Sequence, residues 1–395
     1  MTPAARLSAA IEVLDSYLDG VPLEKSLTNW ARRSRFAGSK DRAAIRDIVF
    51  DCVRNRNSYA ASSGALTGRG LVLAWADASN GINKTAEMFS GERHAPAPLS
   101  ASEQAYLSAE SDNLSCAEAL DLPDWLISDF RDSYGSKTAE IANVLRQRAP
   151  VFLRANVAKA DRDQCAALLA DEEIETRPHP SIATALEVTA NARRVSVSRA
   201  YLEGFVEVQD ASSQAACLAL PAATRMLDFC AGGGGKTLAY GALHDSKLFA
   251  HDANASRLKD LPARARRAGV RVTSLSSNQV RSQAPFDLVI ADVPCSGSGT
   301  WRRSPAGKWS LTREKLDELI RLQARILDQA ADHVIDGGCL AFMTCSGLKA
   351  ENENQVAAFL ERDDRFSLAR EKRIFPSSEG DGFYYAHLTR VSLSS

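Results

Sequence analysis

From about residue 211 onward the chain repeats one local pattern: a short apolar run, a turn of small residues, then a stretch of helical periodicity. The apolar runs are 225–230 (RMLDFC), 247–252 (KLFAHD), 286–292 (FDLVIAD) and 338–345 (GCLAFMTC), and 383–391 closes with alternation. Between them LAYGALHD begins a helix and 311–335 reads as a long one. Near-continuous apolar strands alternating with helices demand burial on both faces, which predicts an α/β fold with a parallel sheet and crossover helices on each side. In such sheets ligands lie beyond the carboxyl ends of the strands. The chemically pointed residues of this region all stand at those ends.

The first group is AGGGGKT, residues 231–237. Consecutive glycines between strand and helix let the backbone turn tightly and approach a ligand. The spacing is not that of a P-loop, because Cys230 stands where its first glycine would be. Asp252 ends the next strand, where a carboxylate can accept hydrogen bonds from both hydroxyls of a ribose. Cys230, Ala231, Gly232, Gly233, Gly234, Gly235, Lys236 and Asp252 thus outline a site for an adenosine-type cofactor, either a dinucleotide or S-adenosylmethionine.

Two further groups carry thiols. DVPCSGSGT, residues 292–300, puts Asp292 and Cys295 just past one strand, and Thr344, Cys345 and Ser346 end another. Two thiols at strand ends above a cofactor fit either a disulfide relay or covalent attack on an electrophilic carbon. Cys52, Cys116, Cys165, Cys217 and Cys339 read as inert core thiols. With no C-x-x-C pair and no spaced histidines beside them, neither a metal site nor a disulfide framework is expected.

The 395 residues are long enough for several cores, and a net charge of −1 places any attraction to nucleic acid in local patches. Residues 1–135 read as a helical domain, with Ile45, Ile48, Val49 and Cys52 on one buried face and Ile11, Leu14, Tyr17 and Leu18 on another. The proline-bearing 90–100 is a loop beside it. Residues 136–212 read as a small α/β module and 213–395 as the strand–helix domain. Basic residues crowd 32–56, among them Arg32, Arg33, Lys40, Arg42 and Arg46, which makes this stretch either a phosphate-binding face or a solvated helix surface. Arg302, Arg303 and Lys308, interleaved with Trp301 and Trp309, offer a second set of phosphate and stacking groups, unless the tryptophans pack in a core. No leader-like start and no apolar run of spanning length is present, so a cytoplasmic protein is expected.

In this order AGGGGKT, DVPCSGSGTWRRSPAGKW (292–309), FMTCSGLKAENENQV (342–356) and GDGFYYAHL (380–388) resemble the NOL1/NOP2/Sun family of RNA 5-methylcytosine methyltransferases. GSKDRAAIRDIVFDCVR (38–54) resembles the NusB-like RNA-binding domain that precedes the catalytic domain in bacterial members acting on ribosomal RNA. LPDWLISDFRDSYG and FLRANVAKA sit where those members have a linker and an RNA-facing module. The resemblance implies a Rossmann-like class I methyltransferase sheet, S-adenosylmethionine as cofactor, and a monomer acting on an unpaired or flipped cytosine. It implies Cys345 as nucleophile toward carbon 6, Cys295 for proton removal and release, and Asp292 on the base edge, with Asp292 also beside the cofactor.

The chain departs from that pattern in two places. Gly233 replaces the usual proline of the loop, and Asn278 stands where an aspartate usually holds the adenine amine. Lys236 is expected on the methionine carboxylate or an RNA phosphate. Pro262 is expected to kink the helix it interrupts. Transfer RNA as substrate, a non-catalytic RNA-binding or assembly factor, and a dinucleotide oxidoreductase are the competing readings.

Overall fold

The computed structural model describes residues 1–109 and 114–391. The chain forms two compact units, one of residues 1–148 with 301–311, the other of 149–300 with 312–395.

The first unit is helical. Pro3–Leu18, Leu23–Arg33, Ser39–Arg54 and Gly68–Asn80 bury Leu14, Trp30, Ile45, Val49, Cys52, Leu71 and Phe89 in one core. The faces read from periodicity hold, and 90–100 is irregular. Helices Ile127–Tyr134 and Thr138–Arg146 extend this unit past the expected boundary at 135. Cys116 is not a core thiol. It opens a short helix, half-exposed, and its sulfur accepts from Arg131 at 2.9 Å.

The unexpected member is 301–311. Trp301, Arg302 and Lys308 are buried. The last carbonyls of a helix have no partner within it, and those of Ser39–Arg54 are taken up here. Trp309 Nε1 donates to Val53 O at 2.7 Å and Lys308 Nζ to Arg54 O at 3.1 Å. In return Arg54 Nε donates to Arg302 O at 2.7 Å. Burial pushes the Lys308 amine down to about 7, beside the opposing charges of Asp121 and of Arg146, Arg54 and Arg56. Arg302 and Lys308 are therefore helix-end packing groups and not the phosphate-binding groups expected, and Arg303 is only partly exposed. Trp301 packs inside, and Trp309 lies against the helical core.

The second unit holds two sheets. β1 (Val151–Ala155), β2 (Thr176–Pro178), β3 (Ala185–Val188) and β4 (Val206–Val208) form an antiparallel sheet in the order β2-β3-β1-β4. The helix Arg162–Ala170 covers it, opened by a reciprocal cap between Asp161 and Gln164.

The large sheet contains β5 (Arg225–Asp228), β6 (Lys247–Ala250), β7 (Val272–Ser274), β8 (Phe286–Asp292), β9 (Val334–Thr344), β10 (Phe366–Ile374) and β11 (Phe383–Arg390). Their order is β10-β11-β9-β8-β5-β6-β7. The five strands β5 to β9 pair in parallel. β11 pairs antiparallel with both β9 and β10, so the sheet is mixed and not wholly parallel. Because side chains alternate along a strand, Leu227, Val289 and Phe342 face helices Arg313–Ala331 and Glu353–Arg362 on one side. Met226, Leu288, Ile290 and Ala341 face Leu238, Leu261 and Ala265 on the other. β11 is buried along Phe383–Leu388 on both faces, which is why the alternation read there is absent. Pro262 causes no kink: it occupies the first turn of Leu261–Ala268, where an amide hydrogen has no helical partner to lose.

Candidate active site

β8 and β9 are parallel neighbours, registered so that Asp292 lies opposite Met343. Each chain leaves the sheet at the same level, and each carries a cysteine within three residues of its end. The sulfurs of Cys295 and Cys345 meet at 3.4 Å, both partly exposed.

Their environments separate them. The Cys345 thiol lies below its ordinary value, chiefly through its hydrogen bond with Cys295, with the Lys236 ammonium adding to that effect against burial and the Asp292 charge. The Cys295 thiol is pushed well up by the same bond and by burial. Of the two, Cys345 is the member whose shift favours the thiolate.

Beside them Lys236 Nζ donates to Asp292 Oδ2 at 2.6 Å, over the ring of Phe383. The charge expected on a cofactor carboxylate or a phosphate is instead spent on Asp292. A carboxylate accepts several bonds, so Asp292, about a third exposed, keeps acceptor capacity toward the cleft.

Asp292 stands close enough to the carboxyl end of β5 to act on Asp228, which is fully buried there. Thr237 Oγ1 donates to Asp228 Oδ2 at 2.7 Å, and among the described residues Oδ1 has no hydrogen-bond partner. Burial pushes the Asp228 carboxyl up to about 6.

The glycine loop follows β5. Gly232 and Gly234 take left-handed φ of 51° and 78°. A side chain at Gly234 would also run into Leu261, its Cβ 2.3 Å from a methyl carbon. Gly233 does not require that conformation, yet its Cβ would come within 2.8 Å of Arg264, whose guanidinium donates to the Gly233 carbonyl and is anchored on Glu207 at 3.0 Å. Arg264 thereby fills the space left by the residue's missing side chain and braces the loop. Asp252 closes the loop from the next strand: Oδ2 accepts from Gly232 N at 3.0 Å and faces Arg257 at 3.2 Å, while Oδ1 accepts from Asn254 N at 2.9 Å.

A cavity of about 480 Å³ opens at these strand ends, lined among others by Cys230, Asp252, Arg257, Ser277, Pro294 and Leu322. Its size and mixed lining suit a nucleoside-sized group. Asp252, which lines the cavity, supplies a polar anchor that such a group needs. Asn278 is a correction. The helix Ser277–Gln283 turns it outward to solvent, and Ser277 lines the cavity in its place, its hydroxyl 3.0 Å from His251 Nε2. A one-residue phase in a helix start separates the two. Burial and Asp228 push the Cys230 thiol far up, leaving it a wall and not a reagent.

Sequence reasoning missed Glu351, which is wholly buried in the motif that follows Cys345. It accepts from Ser296 N at 2.8 Å, Gln323 Nε2 at 2.9 Å, Ser346 Oγ at 2.5 Å and the Ser296 hydroxyl. A glutamate among the polar residues of LKAENENQ gives no local sign of burial.

In the helical unit Arg32, Arg33, Lys40, Arg42 and Arg46 lie on the outer surface, Arg42 reaching back to donate to Ala37 O at 3.0 Å. Arg33 pairs with Glu12 at 2.6 Å and Arg46 with Glu24 at 3.0 Å. Among the described residues no helix is long and apolar enough to cross a membrane.

Comparison with known proteins agrees with this geometry. A family model for the 16S rRNA methyltransferase RsmB/F matches residues 215–389, and one for the RsmF/B-like ferredoxin-like domain matches 122–195. The chain is 33% identical to the ribosomal RNA small subunit methyltransferase B of Salmonella arizonae over 68% of its own length and 66% of that protein's, just under two thirds of the relative. The crystal structure of PH0851 matches 98% of this chain and 99% of its own with a TM-score of 0.75 at 22% identity. NSun6 from Pyrococcus horikoshii matches 70% of this chain and 100% of its own, with a TM-score of 0.62 at 17% identity. These two likenesses establish the fold. The chain belongs to the RsmB/F methyltransferase family.

Proposed function

We propose that this protein methylates carbon 5 of a cytosine in small-subunit ribosomal RNA, through a covalent bond between Cys345 and carbon 6 of the base. The observation that carries this reading is the pair of sulfurs at 3.4 Å beside the Lys236–Asp292 ion pair. The family models and the relatives' names supply the RNA class.

Carbon 5 of cytosine is a poor nucleophile until a thiolate adds to carbon 6. The Cys345 thiolate forms that bond, and the electron pair it displaces moves through the ring toward carbon 5 and nitrogen 3. Asp292 accepts hydrogen bonds from the exocyclic amine and from nitrogen 3 once that atom is protonated, with Lys236 fixing its orientation. When bound, S-adenosylmethionine supplies the electrophilic methyl group that carbon 5 takes up. Asp252, the glycine loop, Ser277 and Pro294 would hold it. Cys295 gives its thiol proton to nitrogen 3 as the electron pair arrives there and, now a thiolate, takes the carbon 5 proton; nitrogen 3 releases its proton to solvent as the ring is restored. The carbon 6–sulfur bond then breaks and Cys345 returns to the thiolate.

A cytosine inside a helix hides carbon 6, so the target is unpaired or flipped. Arg32, Lys40 and Arg42 on the surface of the helical unit bind phosphates. Incubation with 5-fluorocytosine RNA and S-adenosylmethionine tests the chemistry, because fluorine at carbon 5 cannot leave as a proton. A covalent protein–RNA band is the expected result; its absence with RNA that binds overturns the covalent reading.

A further inference from the structure

We infer that Glu351 is a positioning residue for the methyl-transfer step, a buried carboxylate that ties the two cysteine motifs into one rigid unit. The inference rests on the covalent reading proposed above. Cys295 and Cys345 sit on separate loops, each just past its strand, and loops at strand ends are the mobile part of such a sheet. Glu351 bonds the residue after each cysteine: the amide and hydroxyl of Ser296, and the hydroxyl of Ser346. Gln323, from the helix Arg313–Ala331, donates both to Glu351 at 2.9 Å and to Pro294 O at 2.9 Å, on the other side of Cys295. Ser298 Oγ stands 2.9 Å from Ser346 Oγ and accepts from Gly347 N at 2.8 Å, closing the link from the second loop to the first.

All four donors converge on one acceptor-only group. Glutamine at this position would remove the charge on which the four donors converge and force the Ser296 and Ser346 hydroxyls to turn from donating to accepting, which loosens the tie between the two motifs. Neither Glu351 nor the groups that donate to it line the cofactor cavity described above. Its loss therefore acts on the geometry of the sulfurs and leaves cofactor binding in place.

The experiment compares wild type, Glu351→Gln and Ser346→Ala in three measurements: the rate of covalent trapping on 5-fluorocytosine RNA, the RNA concentration for half-maximal trapping, and the dissociation constant of S-adenosylmethionine by calorimetry. Glu351→Gln should trap about a hundredfold more slowly, the scale of a misplaced reacting group, with the other two measurements within about twofold. Ser346→Ala, which removes only a hydroxyl, should slow trapping in the same selective way and keeps the test intact where Glu351→Gln does not fold. Trapping at the wild-type rate in the folded variants overturns the inference, and so does a parallel loss of cofactor binding, which marks a merely structural role. Wild type that binds RNA and traps none overturns the covalent reading itself, a distinct result.

Discussion

The sulfurs of Cys295 and Cys345 stand 3.4 Å apart although fifty positions separate them in the chain. The hydrogen bond between the two sulfurs lowers the Cys345 thiol, and the Lys236 ammonium adds to it. Cys345→Ala should therefore abolish trapping and methyl transfer while leaving the S-adenosylmethionine dissociation constant within about twofold. Residual turnover within tenfold of wild type would remove Cys345 from the nucleophile role.

Cys295→Ala leaves the attacking sulfur in place and removes the group assigned to release. The expected outcome is a covalent complex that accumulates even on ordinary, unfluorinated RNA, visible on a denaturing gel. A variant that turns over normally, with no such band, would assign proton removal elsewhere.

Asp252 uses part of its acceptor capacity on Gly232 and Asn254, and the rest faces the cavity. Asp252→Ala should weaken S-adenosylmethionine by about 1.5–3 kcal/mol for each charge-assisted bond removed. Trapping on saturating cofactor should recover. Calorimetry giving an unchanged dissociation constant would contradict the assignment.

Asp228 makes a pH prediction. Its carboxyl is raised by burial from an ordinary value near 3.8 to about 6 in the folded protein. Between those values the native state binds more protons than the unfolded one, so stability falls as pH rises across the window and then levels off. The loss amounts to about 3 kcal/mol in order of magnitude. Asp228→Asn keeps an acceptor for Thr237 and removes the titration, so its unfolding midpoint in denaturant should not decline between about pH 4 and pH 6.5 through this group. Parallel curves for wild type and variant would rule the group out.

The basic face of the helical unit predicts a salt effect. A triple Arg32→Glu, Lys40→Glu, Arg42→Glu variant should bind RNA more weakly, and the slope of log affinity against log salt should flatten by about 0.7 for each single-strand phosphate that is no longer neutralised. The trapping rate at saturating RNA should stay near wild type. Filter-binding curves that superimpose would leave this face a solvated surface.

The sequence by itself determined what depends on neighbours within one or two turns. The strand–helix alternation, the glycine loop between β5 and its helix, and the cysteines at the ends of β8 and β9 all follow from local periodicity and turn chemistry, and all are legible there. Tertiary structure decided what depends on distant partners. That β8 and β9 lie side by side, in the register that brings Cys295 to Cys345, is a choice of strand order that no local pattern encodes. Glu351 reads as one more solvated acid until the fold buries it among four donors. WRRSPAGKW has the composition of an RNA-binding surface, yet the open carbonyls of Val53 and Arg54, about 250 positions away, turn Lys308 and Trp309 inward. Buried polar groups must find partners, and which partner is found is settled by packing between segments remote in the chain.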